Sequence, residues 1–112
     1  MALLTATRPT AAGVTIAGAA VSASDTIQAS DLGSLGAILI VLNGGASPDT
    51  VTVSDSGLTP ANNSASPAGV AVTNATNKAF YISPKAVNPT TQVVTVTHSF
   101  ITSVTYELIP LG

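Results

Sequence analysis

The sequence predicts an all-β domain: a two-sheet β-sandwich, Ig-like or jelly-roll-like, of about eight short strands with an extended N-terminal arm. Three observations predict it. Val, Ile and Thr recur in short alternating runs such as Thr50-Val51-Thr52-Val53 and Val94-Thr95-Val96-Thr97. Glycine and proline, 9 and 7 of the 112 residues, interrupt these runs at short intervals. No window holds a sustained helical period with caps. A chain of 112 residues has the size of one domain, and we divide it into an arm over residues 1–12 and a single sandwich over residues 13–112.

Strands are expected at residues 14–21, 26–29, 37–42, 50–54, 69–73, 79–82, 93–97 and 102–109. Successive strand side chains alternate between faces, so Val51 and Val53 oppose Thr50, Thr52 and Ser54. In the seventh run the apolar row is expected to be Val94 and Val96, or Val93 if a bulge shifts the register. In the last, Val104, Tyr106 and Leu108 oppose Thr105, Glu107 and Ile109, and its end is apolar on both rows, as expected where a sheet meets a partner. Residues 37–42, "AILIVL", have no polar row at all, which predicts a central strand covered on both sides. The stretch "SDLGSLG" at residues 30–36 allows a single helical turn, because Gly33 and Gly36 each disfavour a longer helix by roughly 1 kcal/mol. "LTPANNSASPAG" at residues 58–69 reads as an exposed loop. Between the third and fourth runs lies Asn43-Gly44-Gly45-Ala46-Ser47-Pro48-Asp49. Its glycines are expected to supply the positive φ of a strand reversal, Pro48 to stiffen the return, and Asp49 to cap the turn through local hydrogen bonds. No helix follows these glycines, so a phosphate-cradling role fails on context.

Charged residues make up 7% of the chain and mean hydropathy is +0.51, against about 25% charge in ordinary soluble domains. A surface so poor in charge is expected to be covered by other subunits or by a large assembly. Arg8, Lys78 and Lys85 are the only permanent cations and net charge is −2, so nucleic-acid binding through phosphates has no electrostatic basis. The absence of cysteine excludes disulfides and thiolate metal sites. The longest apolar run, residues 37–42, falls far short of the ~20 residues that span a bilayer, and no membrane partner is expected. Val21-Ser22-Ala23 imitates a signal-cleavage site, but the start lacks a basic region and Arg8-Pro9 interrupts the apolar stretch, so no secretory signal is expected.

Candidates for chemistry are few. His98 is the only histidine and is placed in a turn; a general base needs an orienting acid and a nucleophile nearby, and adjacent Ser99 diverges from it on an extended chain. Asp49 and Asp55 bracket one run, "DTVTVSD", which lacks the cluster of acids a calcium loop uses. We expect no catalytic, cofactor-binding or metal-ligating residue, no cofactor and no enzyme activity.

Taken in order, "TATRPTAAGVTIAGAAVSASDTI", "ILIVLNGGASPDTVTV" and "VTVTHSFITSVTYELIPL" resemble the small all-β capsid decoration, or minor capsid, proteins of tailed bacteriophages; residues 58–85 carry none of the likeness. The resemblance implies a structural virion protein on the exterior of the capsid that binds and stabilises the major capsid shell, self-associates there, and has no active site to carry over. On this reading Leu3 and Leu4 are apolar anchors and Arg8 the nearby cation of an arm lying across a capsid seam, with strand addition at a sheet edge as the contact mode. Two other readings stay open: a tail or fibre component of a virion, and a cell-surface Ig-like binding module. The latter class displays aromatic platforms, and this chain offers only Phe80, Tyr81, Phe100 and Tyr106.

Overall fold

The structure is a computed structural model and describes residues 2–14, 19–55, 57, 60–63 and 68–111. Strands run at Ala2–Leu3 (β1), Ala19–Ala20 (β2), Ser24–Gln28 (β3), Ala37–Asn43 (β4), Asp49–Val53 (β5), Val70–Val72 (β6), Thr76–Ile82 (β7), Val93–His98 (β8) and Val104–Pro110 (β9). One helical turn, Ala29–Leu32 (α1), and one 3-10 turn, Pro84–Ala86, complete the described elements. Two sheets result, ordered β1-β3-β8-β5-β6 and β2-β9-β4-β7; we call them the five-stranded and four-stranded sheets. Every pairing is antiparallel except β1 with β3.

Counted from β2, the sheets read first-eighth-third-sixth and second-seventh-fourth-fifth. That order arises when one long hairpin, with pairs β2–β9, β3–β8, β4–β7 and β5–β6, wraps around a common core. The sandwich is therefore a jelly roll rather than Ig-like. The core is the inner row of each strand: Ile27, Leu39, Val41, Val51, Val72, Ile82, Val94, Val96, Val104 and Leu108 are all 0–1% exposed.

Most expected runs become strands, with shifted ends. β3 ends at Gln28 because Ala29 already opens α1. β7 begins at Thr76, ahead of its apolar part, because seven cross-strand pairs with β4 extend it through polar Asn77 and Lys78. Of the run at 14–21, residues 15–18 lie outside the described residues. α1 stops at Gly33, and Gly36 (φ 86°) turns the chain into β4. A Cβ at Gly36 would stand 2.4 Å from the Ile82 carbonyl oxygen, so only glycine fits.

Two expectations change. β4 is central, flanked by β7 and β9, but only its inner row is sealed: Ala37, Leu39 and Val41 are fully buried, whereas Ile38, Ile40 and Leu42 are half-exposed on the outer face. A two-layer domain has one interior, and no described segment forms a third layer over this sheet. The N-terminal segment, expected as an arm reaching a neighbour, is woven into its own domain over residues 2–7. β1 adds to the edge of the five-stranded sheet; the Leu4 amide then donates to Thr26 O at 2.8 Å, Ala6 bridges Leu108, and the Thr7 amide donates to Leu108 O at 2.7 Å. The segment thus crosses from one sheet to the other and closes that side of the sandwich, with Leu4 (3% exposed) between them. Leu4→Ala should lower unfolding free energy by about 2–4 kcal/mol, read from urea denaturation midpoints at unchanged m. A loss within ±0.5 kcal/mol, typical of surface positions, would mean that the segment does not close the core.

Candidate functional site

One end of the jelly roll gathers the connections β2–β3, β4–β5, β6–β7 and β8–β9, and it is polar inside. Asp49 opens β5 and His98 closes β8, both on inner rows. Asp49 Oδ2 lies 2.6 Å from His98 Nδ1, with side-chain exposures of 0% and 1%. Asp49 Oδ1 accepts from the Ser99 amide (3.0 Å) and the Phe100 amide (3.2 Å). His98 is therefore a buried strand-end partner rather than a turn residue, and Asp49 acts over about half the chain rather than as a local cap. Local capping falls to Asn43, 2% exposed. Its Oδ1 accepts from the Gly45 amide, while Nδ2 donates to Ser47 O and Val72 O, each at 2.9 Å.

The glycines of this connection also work differently from expectation. Gly44 and Gly45 are not among the described residues with positive φ. Gly45 is required by space: a Cβ there would stand 2.4 Å from both the Phe100 ring and Thr102 O. The Gly44 amide donates to Ser103 O (3.0 Å) and the Ala75 amide to Asn43 O (2.8 Å), so three of the four connections are hydrogen-bonded together.

This cluster ties the connections together through the hydrogen bonds above. The Asp–His pair orients an imidazole, yet Ser99, the adjacent hydroxyl, accepts at Oγ from the Thr50 amide (2.8 Å) and belongs to an exposed residue. Among the described residues no three His, Cys, Asp or Glu side chains come together as metal ligands. Asp55 accepts from the Gly57 amide at 2.8 Å and does not join Asp49 in a shared ion site.

The surfaces separate more sharply than the interior. The outer face of the five-stranded sheet carries hydroxyls in cross-strand rows, Ser24–Thr97–Thr52 and Thr26–Thr95. The outer face of the four-stranded sheet carries Ile38, Ile40 and Leu42 of β4, Ile109 of β9, and Ala79 and Tyr81 of β7; Tyr81 is 61% exposed. Sheet edges are poorer contact points. Among the described residues β1, β2 and β6 have two or three residues each. The longer edge β7 places Lys78 on its core-side row, opposite Val41, and charge on an edge strand discourages strand addition. On the side opposite the N-terminal segment, between β6 and β7, a cleft of about 230 Å³ is floored by Val51, Val53 and Ile82 and walled by Val70, Phe80 and Tyr81.

The residues expected in an anchoring arm divide. Leu3 is 52% exposed, Leu4 belongs to the protein's own core, and Arg8 Nη2 lies 3.4 Å from Asp31 Oδ1 at the surface. The apolar outer row of β4 and Tyr81 were not singled out; the lack of a polar row in "AILIVL" was the available signal, read as double burial. Comparison with protein-family models, curated proteins and solved structures finds no match for this chain.

Asp49→Ala leaves the His98 ring and two strand-end amides without their acceptor, at about 1–3 kcal/mol for each orphaned group, so the total loss should reach about 3–5 kcal/mol. Asp49→Asn, which keeps an acceptor oxygen for Ser99 and Phe100, should lose clearly less in the same denaturant titration. Equal losses would assign the whole effect to the His98 contact.

Proposed function

We propose that this protein is a structural virion component of the capsid-decoration type, docking flat on the outer surface of a major capsid shell through the outer face of its four-stranded sheet. The observation that carries the reading is the contrast between the two outer faces: one dominated by Ser and Thr, the other centred on Ile38, Ile40 and Leu42 with Ile109, Ala79 and an exposed Tyr81 beside them, and with Asn77, Thr105 and Glu107 as its polar members. Contiguous apolar surface on a small domain marks a contact site. A 7% charge content fits a protein that lives against other subunits. The jelly roll is an architecture shared by viral capsid and lectin domains, and fold analogy alone raises rather than decides the virion reading. The sequence resemblance adds the capsid exterior as the place and self-association between neighbouring copies as a second contact.

The arm's contribution narrows under this reading. Leu4 is engaged in the core, so Leu3 and Arg8 are the residues of the N-terminal segment left to touch a neighbour. A second reading, a surface binding module, draws support from the apolar cleft beside Tyr81.

Purified protein mixed with expanded capsids and imaged by electron microscopy tests the proposal. Regular density on the shell is expected for the wild type and for Thr52→Asp, on the hydroxyl face. Tyr81→Asp should lose most occupancy, because a charge drawn into a desolvated contact costs several kcal/mol. A bare shell with wild-type protein, or equal occupancy for all three, contradicts the docking face. Rings or trimers formed without any shell would favour a tail or fibre component instead.

A further inference from the structure

The apolar outer face holds one acid. Glu107 lies on the outer row of β9, directly opposite Ile40, and is only 7% exposed. Among the described residues its carboxylate has no hydrogen-bond or ion-pair partner. The same carboxylate lines a pocket of about 200 Å³ with Thr5, Thr7, Ala19 and Tyr106. Among the described residues no fully buried side-chain oxygen is left unpaired, so the carboxylate oxygens keep some contact with solvent.

We propose that Glu107 receives a basic side chain, Lys or Arg, borne on the otherwise apolar surface of the partner protein, an inference that rests on the docking reading above. A carboxylate left with only a narrow opening to water and no partner among the described residues is poorly solvated, which weighs on the molecule that carries it. An incoming ammonium or guanidinium relieves that cost, and the apolar surroundings strengthen the attraction once the contact closes. The Thr5 and Thr7 side chains beside it offer hydroxyl acceptors for the remaining N–H groups of such a cation. A divalent metal suits the pocket less well, because one carboxylate and two hydroxyls fall short of the oxygen set hard cations take. Charge complementarity at one point also solves a problem of the face itself: a purely apolar sheet accepts any apolar surface in any register, whereas a single buried acid admits only a partner with a cation at the matching place.

Two arms test this. In the free protein, Glu107→Met should raise the melting temperature, and Thr7→Lys, which delivers an ammonium into the same pocket, should raise it in the wild type but not beside Glu107→Gln. A lowered melting temperature for Glu107→Met, with Thr7→Lys indifferent to Glu107, would overturn the proposal by giving the carboxylate a structural role at home. On capsid shells, Glu107→Gln should bind about tenfold or more weakly and with flatter salt dependence than the wild type. Wild-type-like binding of Glu107→Gln alongside loss of binding by Tyr81→Asp would sink the Glu107 proposal and leave the docking face standing. Wild-type protein that binds no shell removes the docking reading and this inference with it.

Discussion

Two stacked sheets enclose one space, and that constraint governs how this chain uses its apolar residues. A strand of the four-stranded sheet can bury every second side chain against the five-stranded sheet; the others face outward whatever their chemistry. In β3, β5 and β8 the outward positions hold Ser, Thr and Gln for most of their length, and the constraint costs nothing. In β4 they hold Ile38, Ile40 and Leu42, and the four-stranded sheet is left with an apolar exterior that the chain does not cover. The docking reading, the sparse charge and the position of Glu107 all follow from this one asymmetry.

The interior has its own exception at the end where four connections meet. There the inner rows of β5 and β8 close with Asp49 and His98 instead of valines, and Asn43 does the same for β4. A buried polar pair contributes little to stability relative to an apolar pair of the same volume. Asp49 and Asn43 satisfy backbone amides and carbonyls that valine would orphan, His98 holds Asp49 in place, and those backbone groups belong to the connections that must converge for the hairpin to wrap. The side of the sandwich opposite the cleft between β6 and β7 is lined by Leu4 and residues 2–7.

How much of this was legible follows the physics of each signal. Period-2 alternation reports which residues share a face, so the inner rows around Val51, Val94, Val96, Val104 and Leu108 could be read directly. It does not report how many layers a domain will have, and "AILIVL" therefore read as doubly covered. β7 was legible only from Ala79 onward because Thr76, Asn77 and Lys78 owe their strand conformation to pairing with β4 rather than to pattern. The Asp49–His98 contact joins residues 49 positions apart, and nothing local announces such a pair. Glycine gave a half-signal: Gly45 marks a special position, but close approach to Phe100 and Thr102, not a positive φ, is what demands it.

The central claim is that the outer face of the four-stranded sheet is the contact surface, and the chain carries its own reporter. Of its two tyrosines, Tyr106 is 7% exposed and Tyr81 is 61% exposed on that face. The rate of tyrosine nitration by tetranitromethane, compared between free protein and protein assembled on shells, therefore reads one site. The account predicts that Tyr81 nitrates readily in the free protein and is strongly protected in the assembly. Nitration of Tyr81 at the free-protein rate while the protein sits on the shell would contradict it.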